Sequence, residues 1–104
     1  MTSIFKALAD PTRRQVLQML RAGPMGAGAL ADAFDVSKPT MSAHFAVLVA
    51  ADLIEAEKSG RTIMYRLKMS VLEEALMDFA QAFGLQLTPE TPATAAPRRT
   101  KEKS

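Results

Sequence analysis

Apolar residues in this chain keep helical spacing as far as Leu48 and then, from Ile54, switch to alternation: Ile54 and Ala56 lead outward, and Ile63, Tyr65 and Leu67 lead back. Side chains repeat every 3.6 residues around a helix and every second residue along a strand, so an all-helical chain is excluded. Ser59-Gly60 sits between the two alternating runs and is a hairpin turn signal. The segment therefore predicts a β-hairpin with Lys58 and Arg61 at its tip and Thr62 beginning the opposite face of the return strand.

Two helices precede the hairpin. The first, Ala29 to Phe34, carries Leu30, Ala31 and Phe34 at helical spacing, and Asp35-Val36-Ser37 supplies a short turn ending in a capping serine. The second begins at Lys38-Pro39-Thr40, where proline is tolerated because first-turn amides have no intrahelical acceptor. Its inner face is Met41, Phe45 and Leu48, which points Lys38, Thr40, Ser42 and Ala43 outward near the N-terminal end. Short side chains there let a helix sit deep in a DNA major groove. Asp52 follows where a left-handed cap is expected.

The flanks are helical too. Ser3 to Ala9 predicts a short amphipathic helix with Ile4, Phe5 and Leu8 apolar. Asp10 then caps a second helix that has Pro11 in its first position and a buried face of Val16, Leu17, Met19 and Leu20. Gly23 to Gly28 predicts a loop. Ser70 predicts the cap of a last helix, whose apolar stripe of Leu72, Ala75, Leu76, Phe79 and Phe83 ends at Gly84. The fold expected is mainly α with a small β-hairpin: five helices plus a two-stranded wing. Residues 1–87 form the domain, and 88–104, rich in proline, threonine and charge, form a disordered basic tail.

Composition removes several function classes. Cysteine is absent from the 104 residues and His44 is the sole histidine, so thiolate metal ligands and redox switching are excluded and no metal or other cofactor is expected. No apolar run reaches the ~18 residues a membrane span needs, and the first residues lack the layout of a secretion signal. A cytoplasmic protein without membrane insertion is expected. No nucleophile–base pair or phosphate-binding glycine loop is present, so an enzyme is not expected. Formal charge is +2, yet residues 1–87 carry nine cations and nine anions; the excess lies in the tail. Overall basicity therefore says little about nucleic acid, and local placement must carry that case.

The strings Leu8-Ala9-Asp10-Pro11-Thr12-Arg13, Leu30-Ala31 and Ser37-Lys38-Pro39-Thr40-Met41-Ser42-Ala43-His44-Phe45, with the Gly60-Arg61 hairpin and Tyr65-Arg66-Leu67 after it, resemble the ArsR family of bacterial winged helix-turn-helix repressors. The likeness runs almost to Gly84. It implies a symmetric homodimer joined through the first and last helices, with recognition helices in successive major grooves and wings over flanking backbone or minor groove. Two departures stand out. The cysteine pair of metal-sensing members is missing from Met25-Gly26-Ala27-Gly28-Ala29-Leu30, and the last helix offers Asp78 but no histidine. The chain looks more similar to the metal-independent branch that includes sporulation-delaying immunity repressors. The resemblance does not carry over an inducing signal, and the sequence names no effector.

The function expected is a sequence-specific double-stranded DNA-binding regulator, a dimeric repressor reading an inverted repeat. Its DNA contacts would come from Ser37, Lys38, Pro39, Thr40, Ser42, Ala43 and His44, with Lys58, Arg61 and Thr62 on the wing. Lys38 is suited to guanine edges or phosphate, Thr40 and Ser42 to either, and Ala43 to a thymine methyl. The same residues also fit a solvated helix face, and His44 fits a structural as well as a phosphate-facing role. Arg13 and Arg14, at an unfavourable helix start, call for a partner: an acidic side chain or a DNA phosphate. Ile4, Phe5, Leu8, Leu72, Leu76, Phe79 and Phe83 exceed what a small core can cover and are assigned to a dimer contact. An apolar outer face at Ala46, Val49 and Ala50 suggests few phosphate contacts there, and it also keeps open a protein-interaction adaptor that binds no operator.

Overall fold

Two helices open on a proline in the first turn with a short oxygen-bearing cap just before it. They are α2 (Pro11–Leu20), capped by Asp10, and α4 (Lys38–Ala50), capped by Ser37. A computed structural model describes residues 2–86 and places α1 (Thr2–Leu8) ahead of them and α3 (Ala27–Asp32) between them. Strands β1 (Met25–Gly26), β2 (Ile54–Ser59) and β3 (Thr62–Leu67) form the sheet, and α5 (Met69–Ala82) closes the chain. The predicted tail at 88–104, and the predicted domain end at 87, lie outside the described residues.

The five helices match the expectation, but the sheet has three strands rather than two. The added strand is β1, which pairs antiparallel with β3 through Met25 opposite Tyr65 and Gly26 opposite Met64. Glycine suits this position: a Cβ on Gly26 would stand 3.3 Å from the Thr62 methyl, tighter than ordinary contact, so the Thr62 side chain packs over Gly26 because no Cβ is there. Strand β1 also draws the start of α3 forward, so that this helix begins at Ala27 and ends before Phe34 rather than running from Ala29.

Leu30, Met41, Phe45 and Leu48 from α3 and α4 meet Val16, Leu17 and Leu20 of α2, with Leu53 and Ile54 filling the remaining side. At the end of α4, Asp52 takes φ +64 as expected. The amides of Asp52 and Leu53 donate back to Val49 O at 2.9 Å and Leu48 O at 3.0 Å, which satisfies the last carbonyls of the helix. The Asp52 carboxylate also accepts from Lys68 Nζ at 2.7 Å, and that bond raises the lysine above its ordinary range.

The same contact explains why Ser70 is not the cap of α5. The Lys68 amide donates to Leu53 O at 2.8 Å, so the chain is held against the end of α4 and turns helical at Met69, with Lys68 in the cap position and no side-chain cap bond. Gly84, at φ +70, ends the described helix with its left-handed turn: Leu85 N donates to Ala80 O at 2.7 Å.

Candidate nucleic-acid interface

Helix α4 is anchored by Met41, Phe45 and Leu48, all buried, so its rotation about its own axis is fixed by the core. Lys38, Pro39, Thr40, Ser42 and Ala43 are consequently exposed, as is the capping Ser37. Ser37 Oγ accepts the Thr40 amide at 3.4 Å and donates its proton to Thr40 Oγ1 at 2.9 Å. Part of the Thr40 oxygen is thus spent on the cap, and its hydroxyl proton remains to donate.

His44 is placed differently. It turns toward α1 and α2, with its side chain only 16% exposed and Nδ1 3.9 Å from Asp10 Oδ2. The same nitrogen lies 3.2 Å from Arg13 Nη1. Arginine has donors only, so in this contact Nδ1 is the acceptor. The ring is built into the joint between α4 and the N-terminal helices, which is the structural role the sequence left open beside a DNA-facing one.

Arg13 ties that joint together. Its Nε donates to Ala7 O at 2.8 Å and its Nη2 to Lys6 O at 3.1 Å, while Arg14 Nη1 donates to Leu8 O at 2.7 Å. The expected acidic or phosphate partner is corrected here: both arginines fold back onto the C-terminal carbonyls of α1. Carbonyls at a helix end run out of helical donors and carry partial negative charge, and although Lys6 O also accepts the Ala9 amide at 3.2 Å, cations there relieve both deficits. Asp10 completes the cluster, accepting the Arg13 amide at 3.1 Å. That bond, with lesser help from His44, the Thr12 amide and the Arg13 charge, holds its carboxyl below the usual 3.8 despite an opposing effect of burial. Sequence reasoning missed this cluster because it joins residues more than thirty positions apart.

On the hairpin, Ser59 pairs with Thr62 across a loop of Gly60 and Arg61, and Gly60 takes φ +62. Only the first loop residue has positive φ, the type II′ pattern that follows strand twist. Lys58, Arg61 and Thr62 are exposed at this tip. Among the described residues Lys38, Lys58 and Arg61 make no ion pair, whereas Arg66 is held 3.6 Å from Glu55 and 3.3 Å from Glu57. Arg66 stands opposite Glu55 in the register, a cross-strand pair that the alternation of Glu55 and Glu57 against Arg66 made visible in principle.

The seven residues assigned to a dimer contact divide. Ile4, Leu8 and Leu72 are half-buried against their own core. Leu76, Phe79 and Phe83 stand out, with Phe79 43% and Phe83 69% exposed. Phe5, Phe79 and Phe83 form a ladder of rings at 5.1 and 4.8 Å between centroids.

Residues 8–57 match a family described as a helix-turn-helix domain. The transcriptional repressor SdpR of Bacillus subtilis (strain 168) is 41% identical over 76 residues, spanning 73% of this chain and 84% of that protein. An ArsR-like transcriptional regulator from Rhodococcus sp. RHA1 superposes with a TM-score of 0.70 at 32% identity, covering 80% of this chain and 77% of its own. A solution NMR structure of a homodimeric winged helix-turn-helix DNA-binding domain from Mycobacterium bovis, described as a possible ArsR-family transcriptional regulator, gives 0.64 at 28% identity, with 80% and 79% covered.

Proposed function

The chain belongs to the ArsR family of winged helix-turn-helix transcriptional repressors, and from that premise we propose that it acts as a homodimeric repressor that reads an inverted repeat in double-stranded DNA. It is a DNA-binding transcriptional regulator. The finer reading places the start of α4, from Ser37 to Ala43, in the major groove and the β2–β3 tip, at Lys58, Arg61 and Thr62, against neighbouring backbone or minor groove. Half-sites then lie about one helical turn, ~10 base pairs, apart. Occupancy of the site by itself blocks transcription.

One observation supports this most: the core grips α4 through Met41, Phe45 and Leu48 and leaves its first turns uncovered, with unpaired cations at Lys38, Lys58 and Arg61 among the described residues. His44 supports the site from behind rather than touching the duplex. The homodimer is supported by the homodimeric neighbour, and Leu76, Phe79 and Phe83, exposed beside Phe5, are the proposed contact. Relatives named as repressors favour a regulator over an enzyme, and no described helix is long and apolar enough to cross a membrane. A cytoplasmic location, a domain ending near residue 87 and a tail that adds sequence-independent affinity through counterion release belong to the same reading. Selection of duplexes from a random pool by the full-length protein, followed by footprinting, tests it. Enrichment of a paired motif is the expected result, and an unenriched pool refutes operator binding.

A further inference from the structure

The buried anchors of α4 define which way its outermost edge faces. At 3.6 residues per turn, the line directly opposite Met41, Phe45 and Leu48 runs through Pro39, Ala43, Ala46 and Ala50, and all four are exposed. None of these side chains has a donor or an acceptor. The polar groups stand to the sides, Lys38 and Ser42 on one flank and Thr40 on the other, with the Thr40 oxygen already engaged by Ser37. The part of the helix that reaches deepest is therefore a strip of single methyl and ring methylene groups.

A strip of that kind matches one feature of a base pair. Major-groove edges carry ring-nitrogen and carbonyl acceptors, amino donors and a single apolar group, the C5 methyl of thymine. Methyl groups pressed onto guanine O6 and N7 strip water from two acceptors and return no hydrogen bond, which is unfavourable. Pressed onto a thymine methyl, they remove apolar surface from both partners. Alanine also leaves the backbone free to come close, where a larger apolar side chain would hold the helix away.

We propose that Pro39, Ala43 and Ala46 read the operator through thymine C5 methyl groups, an inference that rests on the placement of α4 in the major groove. Pro39 to Ala46 covers about 10 Å along the helix, or about three base-pair steps. Each half-site accordingly holds a short run of thymines, on one strand or divided between both, under the middle of α4. Ala50, a further turn on, lies where a helix inserted by its N-terminal end leaves the groove.

Because specificity then resides in one chemical group, deleting that group alone is the test. The probe is the duplex selected by the full-length protein, with thymidines in the footprinted half-sites replaced one at a time by deoxyuridine. This change removes the C5 methyl and keeps every hydrogen-bonding atom. The expected effect is about 4-fold weaker binding per contacted methyl and about 16-fold for two, with no change for substitutions outside the half-sites. Ala43→Ser and Ala46→Ser alter exposed positions and leave the core intact. Each is expected to weaken binding to the thymidine duplex and to shrink the deoxyuridine penalty, since the methyl then meets a hydroxyl. Footprinted binding that is indifferent to deoxyuridine overturns methyl readout while the DNA-binding reading stands. A pool that yields no preferred duplex overturns that reading instead. A full deoxyuridine penalty in both serine variants overturns the assignment to these residues.

Discussion

Replacing Arg13 by methionine keeps the unbranched apolar stem and deletes the guanidinium, so the change isolates the joint between α1, α2 and α4. Three contacts disappear: Nε to Ala7 O at 2.8 Å, Nη2 to Lys6 O at 3.1 Å and Nη1 to His44 Nδ1 at 3.2 Å. A hydrogen bond from a charged donor contributes about 1.5 kcal/mol where it is partly buried, as at Ala7 O and His44, and less where water competes, as at Lys6 O. Water recovers part of this for the α1 carbonyls, and the net cost expected for Arg13→Met is about 2–3 kcal/mol. Arg14→Met is the internal control: it also removes a cation from the first turn of α2 but forfeits one exposed bond, to Leu8 O at 2.7 Å, at a cost under about 1 kcal/mol. Urea unfolding followed by far-ultraviolet circular dichroism measures both, at one fixed protomer concentration because dimerisation is linked to stability. Equal losses in the two variants would refute the keystone role of Arg13, as would a loss for Arg13→Met carried by a change in m.

Three further outcomes are expected. The Asp10 carboxyl titrates lower in the folded chain than its ordinary 3.8, so the unfolded chain takes up its proton first and stability falls as pH drops below that value. Asp10→Asn, which still caps α2, should flatten the stability profile in that acid window, so that the variant lies below the parent chain above it and the gap narrows as pH falls; an unaltered acid slope counts against the coupling. Phe79→Glu puts a charge into the exposed ring ladder at 5.1 and 4.8 Å from its neighbours, and analytical ultracentrifugation should then find monomer. A dimer persisting at micromolar concentration would place the contact elsewhere. Arg61→Ala should weaken binding to selected and random duplexes alike and lower the slope of log K against log salt by about 1 per protomer bound; an unchanged slope removes Arg61 from the phosphate contacts.

Much of the fold was legible because local physics dictates it. Asp10-Pro11 and Ser37-Lys38-Pro39 combine a cap oxygen with a first-turn proline, and both helices begin there. The alternation from Ile54 and the Ser59-Gly60 signal set the hairpin and its register. Asp52 at φ +64 was likewise foreseeable, since few other non-glycine residues adopt that conformation. What stayed hidden was non-local or too short to carry a period. Met25–Gly26 is a strand only because β3 lies beside it, and Ser70 lost the cap position because Leu53 O and Asp52 hold Lys68.

For the site, the exposed residues at the start of α4 followed from helical spacing and the choice of Met41, Phe45 and Leu48 as anchors. The roles of Arg13, Arg14 and His44 did not, because a cation's partner is found by three-dimensional proximity and α1's open carbonyls are invisible in a string of letters. The division of the seven apolar residues into core-packed and outward-facing sets was also decided only by packing, since periodicity marks a stripe without saying which half of it a small core can cover. Spacing, caps and turn chemistry act within a few residues and so can be read in order along the chain. Capping by a distant arginine, a third strand and the burial of a histidine depend on surfaces that exist only once the helices have met.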